Sequence, residues 1–166
     1  GMLGTEYAKG LSEKGANVVL ADLDFKKCKE IALELEKKYA VKTLPINLDL
    51  TKISSIKNMV KKVVKKYGKI DILINNAAYQ GDDKLRTIPF EELPLKSWNK
   101  AIDVNLTGIF LCCQEIGKIM LKQKNGVIIN ISSTYGIVAP DQRIYGKSRQ
   151  NSAIFYSATK SAVLNL

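Results

Sequence analysis

Tyr156 and Lys160 stand four residues apart near the end of a 166-residue chain. On a helix that spacing puts both side chains on one face. A phenol titrates near ~10 in water, too high for a general base at neutrality. A lysine cation alongside favours the phenolate. Ser132 and Ser133 close the apolar run Val127–Ile131 upstream. A hydroxyl at a strand end can hold a reacting oxygen. Tyr145 and Arg149 repeat the same spacing nearby, so spacing alone selects no pair.

Three further groups have chemistry-bearing composition. Gly1 and Gly4 open the chain, and a glycine turn lets backbone approach a pyrophosphate at a helix N-terminus. Asp22 ends the next apolar run, eighteen residues beyond Gly4. An acid at about that distance accepts hydrogen bonds from a dinucleotide's ribose. Asp24 competes for this role, and Asp22 is preferred because it follows Ala21 directly. Asn75-Asn76-Ala77-Ala78 follows another apolar run, where small residues let a flat ring lie near the backbone. Asn105-Leu106-Thr107-Gly108 places a polar residue and a helix-weakening glycine in an apolar stretch, which predicts a local break or a close backbone approach.

Composition excludes other chemistries. With no histidine there is no Ser-His-Asp triad, no Cys-His pair and no His-ligated metal. Cys28, Cys112 and Cys113 show neither a disulfide pattern nor zinc-site spacing, so no metal is expected and a reducing cytoplasm fits. Lys and Arg number 26 against 16 acids, a net charge of +10. The densest lysines, 57–69, alternate at helical period with Ile56, Val60, Val63 and Val64. They read as the wet face of an amphipathic helix, and no nucleic-acid partner is expected. Neither a signal peptide nor an apolar run of about 18 residues is visible, so no membrane association is expected.

The positioning elements alternate. Helices are expected at 5–14, 25–39, 52–67, about 98–123 and from about 152 onward. Thr51 can cap the third and Ser97 the fourth. Strands are expected at 16–21, 41–48, 70–74 and 127–131, with Pro45 marking an edge. Continuous apolar strands alternating with helices mean an α/β fold, a doubly wound parallel sheet covered on both faces.

Taken in order, these motifs resemble the short-chain dehydrogenase/reductase family over essentially the whole chain. The carriers are Gly1–Gly4, Asp22, Asp49-Leu50-Thr51, Asn75-Asn76-Ala77-Ala78, Asn105-Leu106-Thr107-Gly108, Asn130-Ile131-Ser132-Ser133 and Tyr156 with Lys160. The resemblance implies a single NAD(P)-binding, Rossmann-like domain over 1–166. It also implies that the family's first strand and C-terminal strands are missing, leaving the sheet incomplete at both ends. By the same resemblance, Ser133 is the catalytic serine and Tyr156 the general acid/base. Lys160 binds the nicotinamide ribose and tunes the tyrosine, and Asn105 holds a relay water. Gly1, Gly4, Asp22, Asp49, Leu50, Asn76, Ala77, Tyr156 and Lys160 form the cofactor set. Asp22 would repel a ribose phosphate, which favours NAD over NADP.

The implied activity is interconversion of a small-molecule alcohol and its carbonyl by hydride transfer. A non-catalytic cofactor-binding or regulatory protein on the same fold is the alternative. The family resemblance also implies a homo-oligomer, dimer or tetramer, through helix 98–123 and the last helix. Ser133 and Tyr156 lie 23 residues apart, longer than the family commonly shows. The extra segment 141–151 resembles a subgroup linked to bacterial surface-sugar or flagellin-glycan synthesis. Its Arg143, Lys147 and Arg149 would draw an anionic sugar derivative, unless they belong to an ordinary solvated loop. Residues 1–166 by themselves are expected to be inactive, because the strands at 16–21 and 70–74 would lack a central neighbour.

Overall fold

The computed structural model describes residues 1–148 and 150–166. Its regular elements are helix α1 (Met2–Glu13), strand β1 (Val18–Asp22), α2 (Phe25–Tyr39), β2 (Thr43–Asn47), α3 (Ile53–Tyr67) and β3 (Ile72–Asn75). Then follow α4 (Leu95–Ile102), α5 (Gly108–Gln123), β4 (Val127–Asn130) and α6 (Ile154–Ala162). A π-helical turn, Asp103–Thr107, joins α4 to α5.

Both strand pairs are parallel. Val18 lies opposite Thr43 in β1–β2, and Ile72 opposite Val127 in β3–β4. Side chains alternate across β1. Val18 and Leu20 pack with Ala8 of α1 and with Ile31 and Leu35 of α2. Ile46 of β2 packs on the other side, with Ile56, Val60 and Val63 of α3 and Cys112 and Ile116 of α5. Each buried Val, Leu or Ile among them contributes ~1.5–3 kcal/mol. Helices therefore cover both faces, the doubly wound α/β arrangement of a Rossmann-like fold. Val127, Ile128 and Ile129 are the departure, since all three in β4 are exposed.

β1 and β3 are not joined. Val18 N–H donates to Lys42 and Leu48 N–H to Asp22, so the even residues of β1 face β2. Val127 N–H donates to Asp71 and Ile131 N–H to Asn75, so the odd residues of β3 face β4. Val19, Ala21, Ile72 and Ile74 therefore turn their peptide groups the other way. A cavity of about 1020 Å³ separates the two pairs.

Several boundaries differ from expectation, each for a local reason. α1 begins at Met2 with Gly1 as its N-cap, so Gly4 lies inside the helix. Thr51 does not cap α3; its hydroxyl donates to Asp49 instead, at 2.6 Å. Ser97 does not cap the fourth helix. Pro94, whose ring presets a φ suited to a helix start, is its N-cap, and Ser97 N–H donates to the Pro94 carbonyl. Asp24 caps α2 by accepting from Lys27 N–H at 3.0 Å. Leu95–Gln123 runs as one helical stretch with an 18-residue window of mean hydropathy 1.3, longer and more apolar than the sequence reading allowed. One face is committed to protein contacts through Ala101, Asn105, Ile109 and Cys112, all buried.

Candidate active site

The cofactor candidates gather at the carboxyl ends of β1 and β3. Gly1, Gly4, Asp22, Leu50, Asn76 and Ala77 all line the cavity between these strands. A Cβ on Gly4 would stand 3.1 Å from Asn76 Nδ2, so the first turn of α1 approaches the β3 exit closely. That turn carries no acidic residue, and its leading N–H groups lack intrahelical partners. Such an end suits a phosphate. Asp22 accepts from Asp24 N–H through Oδ1 at 3.1 Å, and Asp24 is occupied capping α2. The chemistry of this set fits a dinucleotide: a phosphate-compatible helix start beside a strand-end carboxylate.

Asp49 does not line that cavity. Its Oδ1 accepts from the Thr51 N–H and hydroxyl, and Lys52 Nζ lies 2.9 Å from Oδ2. These partners hold its carboxyl down to about 2. Its neighbour Leu50 packs where Gly108 begins α5; a Cβ on Gly108 would fall 2.8 Å from that of Leu50.

The β4 exit meets α6 around Lys160. Its ammonium donates to the Ile131 carbonyl and lies 5.7 Å from the centre of the Tyr156 ring. Lys160 is 2% exposed, and burial pushes its titration down. Tyr156 is half-buried and one helical turn away. Ser133 lies between Ser132, which donates to the Lys160 carbonyl, and the turn that ends at Gly136. Its own Oγ accepts from Tyr135 N–H at 3.2 Å.

Asn105 sits in the π-turn and is wholly buried. Its Oδ1 accepts from Tyr79 N–H at 2.6 Å. Nδ2 donates to the Tyr79 carbonyl at 2.9 Å and to Thr159 Oγ1 at 3.2 Å. Both amide protons are thus used within the protein. Tyr79 also stacks on Phe155 of α6, with ring centroids 5.7 Å apart. The β3 exit, the π-turn and α6 are locked together through Asn105, Tyr79, Thr159 and Phe155. Tyr79, Thr159 and the Ile131 carbonyl escaped the sequence reading. Thr159 alone had a local sign, since it directly precedes Lys160.

The profile described as short chain dehydrogenase matches residues 1–166. The chain belongs to the short-chain dehydrogenase family. It is 36% identical over 151 residues to an uncharacterised oxidoreductase of Thermotoga maritima, covering 89% of this chain and 56% of that one. It is 33% identical over 164 residues to the 3-oxoacyl-acyl-carrier-protein reductase FabG of Staphylococcus epidermidis, covering 99% and 61%. The crystal structure of NAD+-bound xylitol dehydrogenase superposes with a TM-score of 0.87 at 25% identity, covering 99% of this chain and 58% of that one. The chain thus spans about three-fifths of the length of the relatives it matches.

Segment 141–151 of this short-chain dehydrogenase is closed at its base. Gln142 and Ser152 exchange two hydrogen bonds of 2.9 Å. Asn151 reaches across to the carbonyls of Arg86 and Ile88. Arg143 makes a two-pronged pair with Asp141, Nε to Oδ1 at 2.9 Å and Nη2 to Oδ2 at 2.8 Å. That pairing lowers the positive charge the loop presents. Lys147 is exposed, and Arg149 lies outside the described residues.

Proposed function

We propose that the protein to which this chain belongs is a nicotinamide-dependent oxidoreductase that interconverts an alcohol and a carbonyl. The observation that carries this reading is the burial of Lys160 beside Tyr156, with its ammonium held by the Ile131 carbonyl. An ammonium costs several kcal/mol to bury, and a chain retains one there when the charge has a use.

A bound nicotinamide dinucleotide would supply or accept the hydride. Tyr156 exchanges the proton of the substrate hydroxyl. Ser133 donates to the substrate oxygen. Lys160 holds positive charge beside the phenol and contacts the ribose. Asn105 holds a relay water and fixes Tyr79 and Thr159 around this centre. Gly1 and Gly4 admit the pyrophosphate, Leu50, Asn76 and Ala77 wall the cleft, and Asp49 borders the adenine. Asp22 favours NAD over NADP. General acid/base catalysis of this kind contributes roughly 10²–10⁴-fold. Tyr156→Phe in the complete protein should therefore remove turnover while NADH still binds. Turnover near that of the wild type would sink the assignment. A non-catalytic cofactor binder would show NADH binding and no turnover across a panel of alcohols and ketones.

The proposed substrate is an anionic sugar derivative, supported by exposed Lys147 and by the attachment of the 141–151 segment to the 86–88 carbonyls. The Arg143–Asp141 pair argues against a strongly cationic loop. Lys147→Ala should raise KM for such a substrate; an unchanged KM would remove this support. We further propose a cytoplasmic homo-oligomer with contacts through α5, where Phe110 and Leu121 are exposed. Light scattering of the complete protein as a monomer would count against it.

A further inference from the structure

We infer that Ser132 is a positioning residue that holds the main chain of Lys160 against the β4 exit, while its neighbour Ile131 holds the ammonium. This rests on the reading of Lys160 as the partner of Tyr156.

The last four carbonyls of a helix have no intrahelical donor. In α6, which ends at Ala162, the Lys160 carbonyl is one of them. Ser132 Oγ donates to it at 2.7 Å. The next turn of chain presses on the same atoms. A Cβ on Gly136 would stand 2.6 Å from Ser132 Oγ and 2.7 Å from the Lys160 carbonyl oxygen. Only a residue without a side chain lets 134–136 close over this bond. Position 136 therefore needs glycine for space.

The result is a two-point grip. Lys160 Nζ donates to the Ile131 carbonyl, and the Lys160 carbonyl accepts from Ser132. A lysine side chain has several rotatable bonds and much freedom to lose. Fixing its main chain and its tip from adjacent residues removes most of that freedom. The hydroxyl of Ser133, next along the chain, is then left for the substrate. Three consecutive residues at one strand exit thus hold the ammonium, the peptide and the reacting oxygen.

The test is lysine acetylation footprinting of the complete protein by mass spectrometry, with alkylation of buried Cys112 as the reporter of global opening. In the wild type Lys160 should react slowly beside exposed Lys61. Ser132→Ala should raise labelling at Lys160 about tenfold, the factor that 1.4 kcal/mol of local opening produces. Cys112 labelling should stay unchanged, and Ser132→Thr should restore protection. NADH affinity, read from nicotinamide fluorescence, should follow the same order. Should Ser132→Ala open the whole fold, the isosteric pair Ser132→Thr and Ser132→Val decides. More Lys160 labelling in the valine variant supports the grip, and equal labelling overturns it. Unchanged labelling in a folded Ser132→Ala protein, labelling that threonine fails to suppress, or labelling without a loss of NADH affinity also overturns it. None of these readouts needs turnover, so failure here is distinct from survival of activity in Tyr156→Phe.

Discussion

Asn105 Nδ2 donates to Thr159 Oγ1 at 3.2 Å, tying the π-turn between α4 and α5 to α6 across 54 positions of chain. The Thr159 hydroxyl in turn lies 2.8 Å from the Phe155 carbonyl and 3.0 Å from that of Tyr156. Thr159 is wholly buried, so no water can replace it. Thr159→Val keeps the shape and strands an Asn105 proton, at a cost of about 1–3 kcal/mol. Thr159→Ser should keep most of that stability. Urea unfolding of the two variants checks the difference; equal midpoints would show that the bond contributes nothing.

Lys160 presents the opposite balance. Burying its ammonium costs several kcal/mol, while its hydrogen bond to Ile131 returns about 1.5–3. Ile131 is half-buried, so water can reach its carbonyl once the lysine is gone. Lys160→Met should therefore raise the melting temperature while abolishing turnover. Burial depresses the folded-state titration of Lys160 below the ordinary 10.5. Between the depressed value and 10.5 the unfolded chain binds the extra proton, so stability rises with pH there. That rise should be weaker in the methionine variant, as thermal melts at stepped pH values up to 10.5 would show.

The acidic range belongs to Asp49. Its carboxyl titrates at about 2 rather than 3.8, because Thr51 and Lys52 bind the ionised form. The stability this provides is complete above the unfolded value and disappears as pH falls through 2. Asp49→Asn should flatten the loss of stability between about pH 4 and 2. An acid titration as steep as that of the wild type would contradict the assignment.

How far the sequence reaches is clear from two helices. α2 spans Phe25–Tyr39 as its apolar period required. The helix expected from 98 begins at Leu95, because the φ of Pro94 outweighed the capping type of Ser97. The spacing of Tyr156 and Lys160 is local to one helix and could be read directly. The bonds of Asn105 cross 26 and 54 positions, and no local pattern encodes them. Neither could composition reveal that Asp141 would take up Arg143, since ion pairing depends on loop shape.

Cofactor choice should depend on Asp22. Its carboxylate at the strand end should repel a ribose phosphate, since Leu23 supplies no balancing cation. Asp22→Ala should narrow the preference for NADH over NADPH in fluorescence titrations of the complete protein. A wild type that already favours NADPH would reverse the reading of this strand.

The facing edges of β1 and β3 have a consequence for isotope exchange. The amides of Val19, Ala21, Ile72 and Ile74 point into the cavity, whereas Leu20 and Leu73 point toward paired strands. In deuterated buffer, residues 1–166 should exchange in alternation along each strand, quickly at the first four and slowly at the other two. A segment of chain that hydrogen-bonded to both edges would erase this alternation and slow all six amides. Exchange is therefore a residue-by-residue record of whether the two strand pairs act as one sheet.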